Sequence, residues 1–168
     1  MTVLGVDLGI RKVAVAVITD GVAGYTLYSI PRLELVKQER AYELHKLSSF
    51  VEAVVSTYQP EHMFIEQPII GNNNKYSMQL SETCGAVIGG LRLSPEQTDP
   101  NVHMVDNGTW KKELLLNGHA SKSEVRNYIV DTHPAYAAFC GEDQDAFDAC
   151  CIALYGNLIL DRSERLSL

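Results

Sequence analysis

The chain has 168 residues, of which 46% are hydrophobic and 21% charged, and its formal net charge is −7. That length suits one domain with a sizeable core, and the apolar stretches are broken too often for a membrane span. The acidic balance counts against broad nucleic-acid binding, which needs Lys and Arg on phosphates, unless a cluster of acids holds divalent cations that attract phosphate locally.

The opening "MTVLGVDLGIRK" lacks a basic leader and Asp7 interrupts its apolar run, so it does not read as a secretory signal. "TVLGVDLG" reads as a buried strand ending in a turn, and the β-branched "KVAVAVIT" as a second strand. Asp20 and Gly21 form a hairpin signal, and "AGYTLYSI" is the third of three antiparallel strands. Residues 37–58 turn helical, with Leu44, Leu47, Phe50, Val51, Val54 and Val55 recurring at spacings of three and four, and Pro60 closes the segment. "HMFIEQ" is a short buried strand, 76–91 a helix rich in small residues, and "NVHMVD" a further strand. Helices follow at 109–116 and 121–132, the second opened by the capping box "SKSE". "HPAYAAFCGE" reads as a loop before a last helix over 143–160, and "DRSERLSL" as a polar tail that frays. A meander followed by alternating helices and strands predicts an α/β fold with a mixed five-stranded sheet, three antiparallel strands and then parallel ones, flanked by helices. Residues 1–160 are expected to form a single domain and 161–168 a tail.

Cys84, Cys140, Cys150 and Cys151 form no CxxC pair and read as buried thiols of a reducing compartment, so the expected location is cytoplasmic. The five histidines show no zinc-ligand spacing.

Three places put acids where a fold alone would not. Asp7 ends one apolar strand, and Glu66 ends another, just before an Asn-rich stretch in "FIEQPIIGNNNKY". In "DQDAFDACCIALYG", Asp145 and Asp148 lie three apart on one helix face. Singly, each has a plain reading: Asp7 as a turn cap, Glu66 as the partner of a buried Arg, Asp143 and Asp145 as favourable to a helix N-terminus. Asp148 sits more than a turn into its helix, where the dipole explains it poorly. Together the four acids are an economical way to gather carboxylates that repel unless a cation joins them. Oxygen-only ligands suit Mg²⁺ or Mn²⁺, and two such ions about 4 Å apart clamp a phosphoryl centre during in-line displacement. The residues therefore point to a metal-dependent phosphodiester hydrolase.

The elements "GVDLGIRKVAVAVI", "FIEQPI", "GHASKSEVRNYIV" and "DQDAFDACCIALY", in this order and spacing, resemble RuvC-type Holliday-junction resolvases of the RNase H-like superfamily over most of the chain. The resemblance implies a Mg²⁺-dependent crossover junction endodeoxyribonuclease that resolves four-way junctions by paired symmetric nicks, leaving 5′-phosphate and 3′-hydroxyl ends. It implies that Asp7, Glu66, Asp145 and Asp148 are catalytic and bind two Mg²⁺ ions per site, with Mn²⁺ as a substitute, and that Lys122 supports phosphate binding and catalysis. Lys111 and Lys112 fall in a segment similar to a basic family site facing DNA. Arg11 and Lys12 follow the DxG turn within reach of the DNA backbone, and Lys75 lies in the loop after Glu66. The chain departs from the cellular pattern where a Phe wedges against junction bases. Ile69 stands at that position, with Tyr76 nearby as a substitute. This departure puts sequence preference in question and suits a divergent viral member, located in the host cytoplasm. Gly85 and Gly89, four apart in "CGAVIGGL", match the helix that forms the family's two-fold dimer, so a homodimer through 76–91 is expected on branched DNA. Two other readings stand beside this one: a YqgF-like nuclease acting on structured RNA, and a non-catalytic junction-binding protein.

Overall fold

The computed structural model describes residues 1–21, 24–29, 32–34, 39–68, 71, 74–92 and 99–166, with the side chains at 20, 21, 24–29, 32–34 and 92 excepted. Its strands are β1 (Thr2–Leu8), β2 (Lys12–Gly21), β3 (Gly24–Ser29), β4 (Arg32–Glu34), β5 (His62–Glu66) and β6 (Asn101–Val105). Its helices are α1 (Arg40–Tyr58), α2 (Asn74–Gly89), α3 (Asn107–Leu115), α4 (Lys122–Thr132), α5 (Pro134–Cys140) and α6 (Gln144–Leu166), with a 3₁₀ turn at Gly90–Arg92. The sheet runs β3-β2-β1-β5-β6. The β1–β2 and β2–β3 pairs are antiparallel, and β1–β5 and β5–β6 are parallel.

The expected mixed sheet is present, with one strand more than the five predicted. β4 pairs antiparallel with the first half of β2, matching Lys12 to Glu34 and Ala14 to Arg32, while β3 takes the second half. Three residues are too few for any period to show in sequence. "HPAYAAFCGE" is also more ordered than predicted, since α5 forms within it. Pro134 occupies a first-turn position, where its missing N–H costs nothing, and Tyr136 and Cys140 bury one face four residues apart. The final helix continues six residues past the predicted end, to Leu166.

Both faces of the central sheet are covered, so Val13 to Ile18 of β2 form an unbroken apolar run rather than an alternation. Val13, Val15 and Val17 pack toward α1 and α2, with Leu4, Val6, Leu47, Val51 and Val87. Ala14, Ala16 and Ile18 pack toward α6, with Val3, Phe64, Phe147 and Ala153. The α6 face is lined with small residues. A Cβ built on Gly5 would collide with the backbone of Ala149 and Ala153, and one on Gly156 would run into the Phe64 ring. The helix therefore rests directly on β1 and β5.

The remaining termini follow local chemistry. α1 stops at Gln59, which takes the left-handed conformation just before Pro60. Asp106 caps α3 by accepting from the Thr109 amide at 3.1 Å. The Ser121–Glu124 capping box of α4 forms in both directions, as predicted. All four cysteines are buried thiols outside any disulfide, and the Cys140 and Cys150 sulfurs lie 3.7 Å apart. Among the described residues, no helix is long and apolar enough to cross a membrane.

Candidate active site

Strand register brings the first two acids together. β1 and β5 run parallel with Val6 opposite Ile65, so Asp7 and Glu66 follow at neighbouring strand ends on one face. That face also carries Val3, Gly5 and Phe64, the residues that meet α6. Two residues of strand from Gly5 to Asp7 advance about 6.6 Å, and one helical turn from Ala149 back to Asp145 covers about 6 Å. Close packing at Gly5 thus carries the start of α6, with Asp145 and Asp148, to the end of β1. The site lies at the carboxyl ends of the parallel strands, the usual ligand position in open α/β sheets.

The electrostatics match that placement. The Asp7 carboxyl is pushed well above the ordinary carboxylate range, first by burial and then by the charges of Asp148, Glu66 and Asp145, with Lys122 opposing. Glu66 is raised by burial and by Asp148, against a hydrogen bond from Asn107 and the charge of Lys111. Asp148 is raised mainly by burial, and a hydrogen bond from Gln144 (3.2 Å) and the charges of Lys111 and Lys122 work against it. The four predicted acids and two of the predicted lysines therefore act on one another. Lys122 stands at the first position of α4, where the helix dipole disfavours a cation, and its charge falls on Asp7 and Asp148 instead.

Among the described residues, Glu66, Asp145 and Asp148 each have a partner. Glu66 accepts from the Asn107 amide, and Asp148 from Gln144. Asp145 lies 3.3 Å from the Lys12 ammonium, which also pairs with Asp143 at 2.5 Å. Among the described residues, no three acidic, His or Cys side chains are gathered closely enough to hold a metal as they stand. The donor set still fits a hard divalent cation: all oxygen, crowded, and strained by like charges that a cation would relieve.

The basic residues divide. Lys111 lies over the Trp110 ring at 5.3 Å, with its charge on Glu66 and Asp148, while Lys112 is exposed on the same helix. Lys12 faces inward, onto Asp143 and Asp145. Arg11 is exposed and pairs with Glu43 at 3.8 Å. Lys75 and Tyr76 are exposed in the first turn of α2, with Tyr76 beside a small cleft that Glu66 and Pro68 also line. Ile69 lies outside the described residues.

Sequence reading missed two contributors, Asn107 and Arg40, and read Asp143 as favourable to a helix N-terminus, not as the partner of Lys12. Asn107 orients Glu66 from the start of α3, just behind the strand end. Asp143 caps α6 by accepting from the Asp145 amide (3.2 Å) and holds Lys12. Arg40 ties the β1–β2 turn to both helices of the other face, donating to the Ile10 carbonyl (3.3 Å), the Gln79 carbonyl (2.6 Å) and Thr83 (2.8 Å). An Asp two residues before the helical pair was a visible capping signal, whereas Asn107 and Arg40 belong to no periodic pattern.

Residues 3–155 match the family described as Crossover junction endodeoxyribonuclease RuvC. The protein of that name from Rickettsia bellii (strain OSU 85-389) is 28% identical over 157 residues, covering 91% of this chain and 94% of the relative. Its counterpart in Rickettsia prowazekii (strain Madrid E) is 30% identical over 129 residues, covering 74% and 78%. In fold the chain is similar to Thermus thermophilus RuvC in complex with Holliday junction substrate, with a TM-score of 0.77, 24% identity and 92% of each chain covered. The chain belongs to the RuvC family of crossover junction endodeoxyribonucleases.

Proposed function

We propose that this chain is a structure-selective DNA endonuclease that resolves four-way junctions by paired symmetric nicks, leaving 5′-phosphate and 3′-hydroxyl ends, with residues 1–160 as one nuclease domain. The observation that carries the reading is the meeting of Asp7, Glu66, Asp145 and Asp148 with Lys111 and Lys122 at the carboxyl ends of β1 and β5. Family membership supports the reaction class, and the T. thermophilus relative bound to junction DNA supports the substrate.

RuvC-family nucleases depend on divalent metal. Here Asp7, Glu66, Asp145 and Asp148 would hold two Mg²⁺ ions, with Mn²⁺ as a substitute. Bound there, the metal would supply Lewis acidity at the scissile phosphate and a more acidic attacking water. The chain's own residues do the rest. Lys122 and Lys111 draw the phosphate to the acids, Asn107 fixes the direction of Glu66, and the Gly5 contact fixes Asp145 and Asp148 over Asp7. Lys75, Lys112 and Arg11 are exposed toward a DNA backbone, and Tyr76 is 52% exposed, where its ring would stack on a base.

Symmetric nicking needs two sites, and α2 supports a homodimer. Cβ atoms built on Gly85 and Gly89 meet open space, so nothing within the chain requires glycine there, whereas Gly90 is closed against Ser48 of α1. Met78 and Ile88 are exposed on the same helix. A second copy laid along this stripe would explain both features. The buried thiols, none in a disulfide, suit a reducing cytoplasm.

The test is cleavage of labelled four-way, three-way, flap, linear duplex and structured RNA substrates, with Mg²⁺ and with EDTA. Paired, ligatable nicks confined to the four-way junction and lost in EDTA are expected. RNA cleavage alone would transfer the site to a YqgF-like role, and tight junction binding without cleavage would leave a binding protein.

A further inference from the structure

The partners of the clustered acids differ in kind. Glu66 accepts from the Asn107 amide and Asp148 from the Gln144 amide. Both donors are neutral, so each steadies its carboxylate without cancelling the charge. Asp145 is different, because its Oδ2 lies 3.3 Å from the Lys12 ammonium. Among the described residues, Lys12 is the cation in ion-pair contact with these acids, while Lys111 and Lys122 act on them from farther away through their charges.

The fold fixes Lys12 in this position. It opens β2 directly after the β1–β2 turn, and its ammonium is anchored on Oδ1 of Asp143 at 2.5 Å. The same oxygen accepts from the Asp145 amide at 3.2 Å, which ties the anchor to the start of α6. The Lys12 side chain is 29% exposed and that of Asp143 15%, so solvent and salt screen this contact less than an open surface pair. Carboxylate charge is what draws a hard divalent cation to oxygen ligands. An ammonium in contact with Asp145 competes for that charge, and the amides on Glu66 and Asp148 do not.

We propose that Lys12 is a built-in competitor for Asp145, a positioning residue that divides the cluster into a strong and a weak cation position. The inference rests on the reading of the four acids as metal ligands and deepens it. Asp7, Glu66 and Asp148 have no ammonium to displace. Asp145 serves a second cation only by parting from Lys12, so that position fills more weakly in the DNA-free protein. Asp143 holds the ammonium whichever way Asp145 turns, so Lys12 stays within the protein and does not become a DNA contact.

The test counts Mn²⁺ bound to the full-length, DNA-free protein, read from the loss of the free-ion electron paramagnetic resonance signal. The parent should show one tight site and a second at least tenfold weaker. Lys12→Gln removes the charge and should tighten the second site at least fivefold, leaving the first within twofold. Lys12→Arg restores a cation and should keep the two sites as far apart as in the parent, which a loss of packing alone would not produce. Two sites of equal affinity in the parent would overturn the proposal, and that measurement needs no variant to fold. An unchanged second site in folded Lys12→Gln would overturn it as well, while leaving the acids as ligands. Absence of saturable Mn²⁺ binding by the parent would remove the metal-ligand reading itself, and this proposal with it.

Discussion

Alternate residues of β1 serve opposite faces and different ends. Leu4 and Val6 turn toward α1 and α2, into aliphatic packing of ordinary depth. Val3, Gly5 and Asp7 turn toward α6, where a missing side chain at Gly5 lets the helix reach the strand and Asp7 meets the acids it carries. One face stabilises through buried area, while the other gives up side-chain volume and charge separation to hold a geometry. The fold tolerates four crowded carboxylates because the cost falls at the end of a strand whose opposite face is fully packed.

The sharpest way to separate the faces is to substitute neighbouring positions. Asp7→Asn should reduce junction cleavage by about 10³-fold or more, equivalent to about 4 kcal/mol of transition-state stabilisation. Its melting temperature in EDTA at pH 7.5 should rise. Folding pushes the Asp7 carboxyl upward, so its ionised form opposes folding at every pH above the folded value, and the neutral amide removes that opposition. Leu4→Ala should do the reverse, losing about 2–5 kcal/mol of stability while keeping its cut sites at a temperature where it is folded. Gly5→Ala joins the two behaviours. A methyl group forced against the Ala149 and Ala153 backbone should cost about 1–3 kcal/mol, or some 3–10 °C in Tm, and should lower cleavage by lifting Asp145 and Asp148 away from Asp7.

Smaller effects belong to residues that aim the acids. Asn107→Ala frees Glu66 to turn and should lower cleavage about 10–100-fold, the range typical of groups that orient metal ligands, with junction affinity unchanged in a mobility-shift assay. Lys12 occupies Asp143 and Asp145, so Lys12→Gln should shift the Mg²⁺ midpoint of cleavage several-fold. Because its charge is engaged within the protein, the salt slope of junction binding should not change. A slope reduced by about one unit would place Lys12 on a phosphate after all.

What could be read in advance followed from residues whose types conflict with their surroundings. Asp7 and Glu66 end apolar strands, and Asp148 lies inside an apolar helix face, so each announced itself. The Ser121 capping box is a local rule that the structure obeys. Lys12 was legible as a cation but not in its direction, since Asp143 lies far along the chain and only the fold brings the two together. Asn107 was hidden for the same reason: an amide at the start of a helix looks like any polar first-turn residue until Glu66 is beside it. α5 went unread because Pro134 and Gly141 bracket a stretch of only seven residues, although the Tyr136 and Cys140 spacing was present.

The smallest expected effect tests how far the α6 face extends along the sheet. On β6, His103 stacks on Phe64 with ring centroids 4.4 Å apart, and its Nε2 lies 3.0 Å from Nδ1 of His62. Burial, and then His62, lower its affinity for a proton. As pH falls from about 6.5, the unfolded chain takes up a proton at this residue before the folded chain does. The stability that a neutral His103 contributes is therefore complete above that pH and declines below it, through the folded value. His103→Phe keeps a ring on Phe64 and removes the titration. Its urea midpoint at pH 7.5 should stay within about 1 kcal/mol of the parent, given one lost hydrogen bond, while the decline in midpoint between pH 6.5 and 5 becomes shallower. Some slope should persist, because burial lowers His133 in the same direction. An unchanged slope would mean that β6 opens to water before His103 is protonated, which would confine the rigid part of this face to β1, β5 and α6, the elements that hold the carboxylates.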